Sequence, residues 1–212
     1  LLRTVDDGKS WQVAAFEGHP VKTMAAAKGP ENHTILYVIV GEKGVTGGRN
    51  LVPEGHLYRV EVNPQPPYDI SATKLPGGDH YVDVAVSKED WSEGMIIRAY
   101  QEGSRGGDEL MRFESEGTVM QYLRTAEQAD VDWFMDVHIN PRNADHVVVQ
   151  AQSDQLNKAL HYSLDGGKTW NDPYPVIDGH IPNMINYNPT HHTAPLGAMR
   201  NEHHQGQGSA IG

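Results

Sequence analysis

The sequence predicts an all-β protein: a β-propeller with four-stranded antiparallel blades, incomplete, with about four blades present. Three observations predict this fold. Two closely matching hairpin segments lie far apart, and Asp165 follows Asp6 by 159 positions. A unit of four short β-type runs recurs about every 50 residues, which is the period of a propeller blade. No segment shows the periodicity of a convincing amphipathic helix.

The two matching hairpins set the phase of the repeat. Residues 1–11 and 160–170 both fit the pattern Ser/Thr-x-Asp-x-Gly-x-Ser/Thr-Trp. Weaker copies begin at Leu57 and Leu110, so the four anchor leucines are separated by 56, 53 and 50 residues. The alternative is a β-sandwich with two accidental hairpin matches. A sandwich does not predict even spacing of a four-element unit, and the spacing therefore favours the propeller.

Two β-type runs joined by a polar turn precede each of the later anchors. One example is Val82–Val86, a turn, and then Met95–Tyr100. A fourth short run follows the second and third anchors. This pattern divides the chain into a blade end at 1–20, blades at about 21–75, 76–125 and 126–178, and a segment at 179–212 that is the start of the next blade or an insertion between blades.

Each strong hairpin contains three residue types with a structural role. The Asp accepts hydrogen bonds from the backbone of the turn. The Gly adopts positive φ without strain. The Trp offers a large apolar face, and we expect it to be substantially buried between blade elements. These residues are Asp6, Gly8 and Trp11 in the first hairpin and Asp165, Gly167 and Trp170 in the second.

The hairpins resemble the Asp-box, or BNR repeat, of sialidases, xyloglucan-hydrolysing glycosidases, sortilin-type receptors and photosystem assembly factors. The resemblance covers about residues 1–178 and implies a sialidase-like propeller with the box on the blade periphery, away from the active site. A sialidase also needs three arginines that grip a carboxylate. We expect that the arginines of this sequence do not recur at one position of the blade, and we therefore expect no such triad.

Composition restricts the partners. The chain has 212 residues, a net charge of −11 and no cysteine, which excludes disulfides, thiolate metal sites and Cys nucleophiles. Its 17 basic residues are scattered, so nucleic acid is not an expected partner. The longest apolar run, Ile35–Val40, is too short to span a bilayer. The negative net charge and the absence of cysteine are compatible with a secreted or periplasmic protein. The sequence identifies no cofactor.

Candidate chemistry lies on the first strand of each blade. Alignment of the blades places Asp83 and Asp136 at the same position, and strand alternation directs both toward a central channel while Val84 and Val137 face the packing. The two carboxylates are the candidate catalytic residues of a glycoside hydrolase. The candidate substrate-binding residues near them are His80, Tyr81, Asp132, Trp133 and His138, with Tyr81 and Trp133 expected in loops above the carboxylates. The alternative is a wet channel lined by solvated polar residues.

The C-terminal segment is rich in histidine. His191, His192, His203 and His204 are weak candidates for metal ligands. The favoured interpretation is a long polar insertion between blades.

These observations predict an exported carbohydrate-active or carbohydrate-binding propeller, possessing glycoside hydrolase activity if it is an enzyme. Its expected partners are a glycan or polysaccharide and the remainder of a larger propeller. Two alternatives stay open: a non-enzymatic scaffold or receptor module that binds protein, and a metal-dependent polysaccharide lyase.

Overall fold

A computed structural model describes residues 1–42, 55–88, 90–99, 107–152 and 160–174. The strands are β1 (Leu2–Arg3), β2 (Gln12–Val13), β3 (Val21–Lys28), β4 (Thr34–Val40), β5 (His56–Val62), β6 (Ile70–Lys74), β7 (Tyr81–Val86), β8 (Gly94–Arg98), β9 (Glu109–Glu114), β10 (Val119–Thr125), β11 (Trp133–Asn140), β12 (Asn143–Gln152), β13 (Leu160–Ser163) and β14 (Asn171–Tyr174). Three short 3₁₀ turns occur at Pro30–Asn32, Ser115–Gly117 and Glu127–Ala129. No helix in the described part of the chain is long and apolar enough to cross a membrane.

The strands pair with their neighbours in chain order. The first sheet is β3-β4-β5-β6, the second is β7-β8-β9-β10 and the third is β11-β12-β13-β14, while β1 and β2 form a two-stranded sheet. All of these pairings are antiparallel. Repeated four-stranded meanders are the blades of a propeller. The predicted all-β, incomplete propeller fold is therefore confirmed.

The sheets pack face to face through two hydrophobic clusters. Between the first and second sheets lie Tyr37, Leu57, Val84, Ile96 and Phe113. Between the second and third sheets lie Met95, Leu110, Phe134, Val137 and Val149. Each fully buried side chain of this size contributes about 1.5–3 kcal/mol. Strand β8 is a nearly continuous apolar run because both of its faces are covered in this way.

The first strands of the three sheets are neighbours, since β7 contacts both β3 and β11. Each of them carries a register shift near its start, which marks a bulge or similar irregularity. The shifts fall between Val21 and Thr23, Tyr81 and Asp83, and Phe134 and Asp136. Thr23, Asp83 and Asp136 therefore occupy the same position in successive sheets.

The two hairpins with the Asp-Gly pattern have the same internal hydrogen bonds. In one, Ser163 Oγ donates to Asp165 Oδ1 at 2.8 Å, and Thr169 N–H and Oγ1 donate to the same carboxylate at 2.8 and 2.6 Å. Thr4, Asp6 and Ser10 repeat this arrangement at 2.8, 2.9 and 2.6 Å. Hydrogen bonds led by the hydroxyls of Ser10 and Thr169 lower the pKa of Asp6 and of Asp165 to about 2. Gly8 and Gly167 both have positive φ.

The tryptophans of the two hairpins differ. Trp170 is half-buried and packs on the second cluster, with Arg124 of the second sheet over its ring at 5.6 Å. Trp11 is 59% exposed, so the prediction that it is buried is wrong. The reason is local, because the described residues include no sheet that lies against Trp11 as β10 lies beside Trp170.

The expectation that arginines do not recur at one blade position is also wrong. Arg3, Arg59 and Arg112 each follow an anchor leucine by two residues. Arg3 donates to the carbonyl of Tyr68, Arg59 to the carboxylate of Glu116, and Arg112 to the carbonyl of Gly166 at 3.2 Å. Each acceptor lies between the third and fourth strands of the following sheet. The repeated arginine thus forms a hydrogen bond or ion pair from each blade to the next. Its donors are bound to protein groups.

Candidate functional site

The candidate site is centred on Asp83, where three first strands meet. Asp83 Oδ2 accepts a hydrogen bond from the N–H of Val137 on β11 at 2.8 Å. The N–H of Val84 and the hydroxyl of Thr23 on β3 also act on this carboxyl, and both lower its pKa. Val137 directly follows the register shift in β11, where the sheet ladder is irregular. Asp83 on β7 therefore bonds directly to the first strand of the third sheet.

Burial is the largest influence on this carboxyl. It raises the pKa of Asp83 from 3.8 to about 6, and the negative charge of Asp136 adds to the rise. The hydrogen bonds from Val137, Val84 and Thr23 act in the opposite direction because they favour the ionised form. Since burial outweighs the three donors, a large fraction of Asp83 holds its proton at pH 6.

Asp136 and His138 lie beside each other on one face of β11, two residues apart, and both are half-buried. Burial lowers the pKa of His138, and the charge of Asp136 opposes that change. The imidazole therefore gives up its proton more readily than the imidazole of an exposed histidine. The site thus combines the raised pKa of the Asp83 carboxyl, a second acidic side chain and a histidine whose pKa is lowered.

The orientation of the first strands differs in part from the expectation of an open channel. Val84, Val137 and Ile139 face the packing, as predicted. The opposite face of β7 is directed toward the third sheet: Ala85 joins the second cluster, and Ser87 Oγ donates to the carbonyl of Pro141 at 3.0 Å. Asp83 is on this same face, so it lies between two sheets and not free in solvent.

The surrounding candidates are dispersed. His80 is exposed in the turn before β7, and its carbonyl accepts from Ala99 N–H at 2.9 Å. Asp132 and Trp133 are half-buried at the start of β11. Tyr81 and Trp133 are the first residues of their strands and do not lie in loops. Tyr81 is 0% exposed inside the first cluster. A fully buried ring has no free face for a sugar, which makes Tyr81 a core residue.

Sequence reasoning missed a polar cleft of about 380 Å³ at the edge of the first sheet. Its lining includes His19, His56, Tyr58 and Lys74. His56 Nδ1 lies 2.8 Å from Asp79 Oδ1. His19 and His56 belong to no motif in the sequence, so no local pattern marks this cleft.

Metal binding was proposed for the C-terminal histidines His191, His192, His203 and His204, which lie outside the described residues. Across residues 1–42, 55–88, 90–99, 107–152 and 160–174, no group of three His, Asp or Glu residues is arranged to hold a metal ion.

Comparison with known proteins gives similarity in structure alone. No family model matches the chain, and no curated protein matches it in sequence. Among solved structures, the Hadza microbial sialidase Hz136 is similar with a TM-score of 0.50 and 8% identity over 82% of this chain. A GH74 xyloglucanase from Xanthomonas campestris has a TM-score of 0.49 and 13% identity over 78% of the chain. The chain covers 39% of the sialidase and 25% of the xyloglucanase. At this identity the sialidase likeness shows the propeller fold and nothing further.

Proposed function

We propose that this chain is part of an exported, carbohydrate-active Asp-box propeller that hydrolyses glycosidic bonds, with Asp83 as the proton donor and Asp136 as the second carboxylate. One observation carries the proposal: burial and the charge of Asp136 raise the pKa of Asp83 to about 6. A glycosidase needs two carboxyl groups in different protonation states. The position after the bulge carries a carboxyl group on two neighbouring first strands, Asp83 on β7 and Asp136 on β11.

The proposed roles follow from that difference. Asp83 donates its proton to the glycosidic oxygen as the bond from that oxygen to the anomeric carbon breaks. Asp136 acts at the anomeric carbon either as a base that takes a proton from the attacking water or as a nucleophile. The anomer released distinguishes these two roles, because the base mechanism inverts the configuration and the nucleophile mechanism retains it. His80, Asp132, Trp133 and His138 stay predictions as glycan contacts.

The test is an assay of Asp83→Asn and Asp136→Asn against a panel of plant, bacterial and animal polysaccharides, with release of reducing ends as the readout. Asn keeps the shape and the acceptor oxygen of Asp83 but carries no titrating proton. We expect each variant to lose about 10²–10⁴-fold in kcat. Asp69→Asn is the matched control, since Asp69 is exposed in the turn between β5 and β6, and it should keep full activity.

A scaffold function is the second candidate, and a specific observation favours it. Asp83 accepts a hydrogen bond from the N–H of Val137 on the first strand of the neighbouring sheet, which is a structural role that needs no substrate. Unchanged turnover in both Asn variants would remove the carboxylates from the mechanism and support the scaffold. The proposed lyase function depends on the C-terminal histidines and has no described residue in its favour.

A further inference from the structure

The polar cleft at the edge of the first sheet, which we call the edge cleft, has the size of a small-molecule binding site. Its volume is about 380 Å³, and sites for small ligands typically enclose about 300–1,000 Å³. Its lining includes four side chains that can be charged or form hydrogen bonds and two that supply apolar surface. These are His19, Glu42, His56 and Lys74, with Val40 and the ring of Tyr58 beside them.

The edge cleft lies at the same end of the sheets as Asp83. In an antiparallel meander, the starts of the first and third strands lie at one end of the sheet. His19 lies two residues before β3 and His56 begins β5, while Asp83 is the third residue of β7. The N–H of Tyr81, at the start of β7, donates to the carbonyl of Gly55 at 3.1 Å. This hydrogen bond joins the residue before His56 to the strand that carries Asp83.

The protein orients two imidazole rings of the edge cleft. His19 Nδ1 donates to the carbonyl of Gly41 at 3.2 Å, and the N–H of Gly41 donates to the carbonyl of Pro20 at 2.9 Å. His56 Nδ1 lies 2.8 Å from Asp79 Oδ1, and the His56 side chain is 19% exposed. An oxygen acceptor at Nδ1 favours the proton on that nitrogen, so Nε2 of the neutral ring is an acceptor.

We propose that the edge cleft binds one sugar ring of a neutral glycan through its hydroxyl groups. The ammonium group of Lys74 is a donor, whereas the carboxylate of Glu42 and the imidazoles supply acceptors. A sugar hydroxyl both donates and accepts, so it can bind to both kinds of group. Val40 and the ring of Tyr58 supply apolar surface for the C–H face of the ring. The choice of a glycan rests on the proposed function, whereas the preference for a neutral ligand with several hydroxyl groups does not.

The charges at the edge cleft favour a neutral ligand over an ion. Glu42 lines the cleft and Asp79 lies against His56, so two carboxylates oppose the binding of an anion. The ammonium group of Lys74 opposes the binding of an organic cation. In the part of the chain that the structure describes, no three His, Asp or Glu residues are arranged to hold a metal ion. A ligand without net charge avoids both kinds of repulsion.

The test is an NMR titration with the neutral glycans cellotetraose, xylotetraose and mannotetraose, and with tetragalacturonate as the acidic probe. The ring signals of His19 and His56 are assigned through their loss in His19→Ala and His56→Ala. We expect at least one neutral tetrasaccharide to shift both signals and tetragalacturonate to shift neither. Lys74→Ala should weaken binding about tenfold, because one hydrogen bond from a charged donor is lost. Lys28→Ala is the matched control at the opposite, exposed end of β3, and it should bind as the wild type does.

Three results would overturn this inference: no shift of the two histidine signals with any neutral tetrasaccharide at millimolar concentration, a stronger shift with tetragalacturonate, or unchanged affinity in Lys74→Ala. Failure of the proposed function gives a different result. Binding at the edge cleft in a protein that cleaves no polysaccharide would support the cleft and refute the hydrolase. Cleavage without a shift of the histidine signals would refute the cleft alone. Asp83→Asn should bind the tetrasaccharide as tightly as the wild type, because Asp83 does not line the cleft.

Discussion

Replacement of Arg112 by leucine tests the contacts between blades most directly. The side chain of Arg112 is 12% exposed. It forms an ion pair with Glu93, lies 3.5 Å from Glu114 and 3.6 Å from Asp145, and donates to the carbonyl of Gly166. Asp145 and Gly166 belong to the third sheet and its turn. Arg112→Leu therefore removes the cation that Glu93, Glu114 and Asp145 share.

The expected cost follows from these contacts. Loss of the hydrogen bond to Gly166 costs about 1–1.5 kcal/mol. Loss of the partly buried pair with Glu93 costs about 1–2 kcal/mol, because the remaining carboxylates then repel one another. The total is about 3 kcal/mol in the free energy of unfolding. Arg59→Leu should cost less, about 1 kcal/mol, since its partner Glu116 has a side chain that is 45% exposed.

Equilibrium unfolding in urea, followed by tryptophan fluorescence and circular dichroism, measures both losses. Arg112→Lys should recover part of the loss, because lysine restores the charge and lacks the planar fork. Arg142→Leu, which changes an exposed arginine in the turn after β11, is the control and should cost under about 0.5 kcal/mol. The reasoning would be refuted by an Arg112→Leu loss no larger than that of Arg142→Leu, or by equal losses for Arg112→Leu and Arg59→Leu.

Three further predictions concern single sites. Trp170→Ala should lower the free energy of unfolding by about 2–3 kcal/mol, because Trp170 is half-buried. Trp11→Ala should lower it by under about 0.5 kcal/mol, because Trp11 is exposed. Equal decreases in the melting temperature of the two variants would contradict this prediction. Gly94→Ala should cost about 2 kcal/mol or more in urea, because an added Cβ would collide with the Phe113 ring and a backbone carbonyl; a neutral result would contradict the packing. The raised pKa of Asp83, about 6 against 3.8, means that the free energy of unfolding falls by about 3 kcal/mol as pH rises from about 3 to about 7, and about 2 kcal/mol of this fall lies between about pH 4 and about pH 6. Asp83→Asn should abolish this fall, and a fall that persists would show that another group causes it.

The repeat could be predicted from the sequence because short segments of the chain determine each strand and turn. Alternating apolar residues and polar turns specify strands where a sheet packs on another sheet. The spacing of Leu57 and Leu110 specified the number of residues in each sheet. The recurrence of Arg59 and Arg112 was visible in the same alignment, two residues after each leucine. It was missed because arginines were compared as candidate carboxylate ligands and not as contacts between blades.

Two features could not be predicted from local patterns. The register shifts before Thr23, Asp83 and Asp136 insert an extra residue into each first strand, and no residue type marks them in the sequence. Burial depends on a neighbouring sheet and not on the hairpin itself. Trp11 and Trp170 therefore have the same local sequence pattern and different exposure.

The two interpretations of Asp83 depend on one balance of forces. As a link between strands, the carboxyl benefits from ionisation, because a charged acceptor strengthens the hydrogen bond from the N–H of Val137. As a proton donor, it must keep its proton near neutral pH, which burial and Asp136 favour. At a pKa of about 6, the increase caused by burial is larger than the decrease caused by the hydrogen-bond donors. The donors still orient the carboxyl group. A purely structural link would be most stable with a low pKa, as Asp165 has in its turn. The raised pKa of Asp83 therefore weakens the link that its hydrogen bonds form, and a proton-donating role gives a reason for that arrangement.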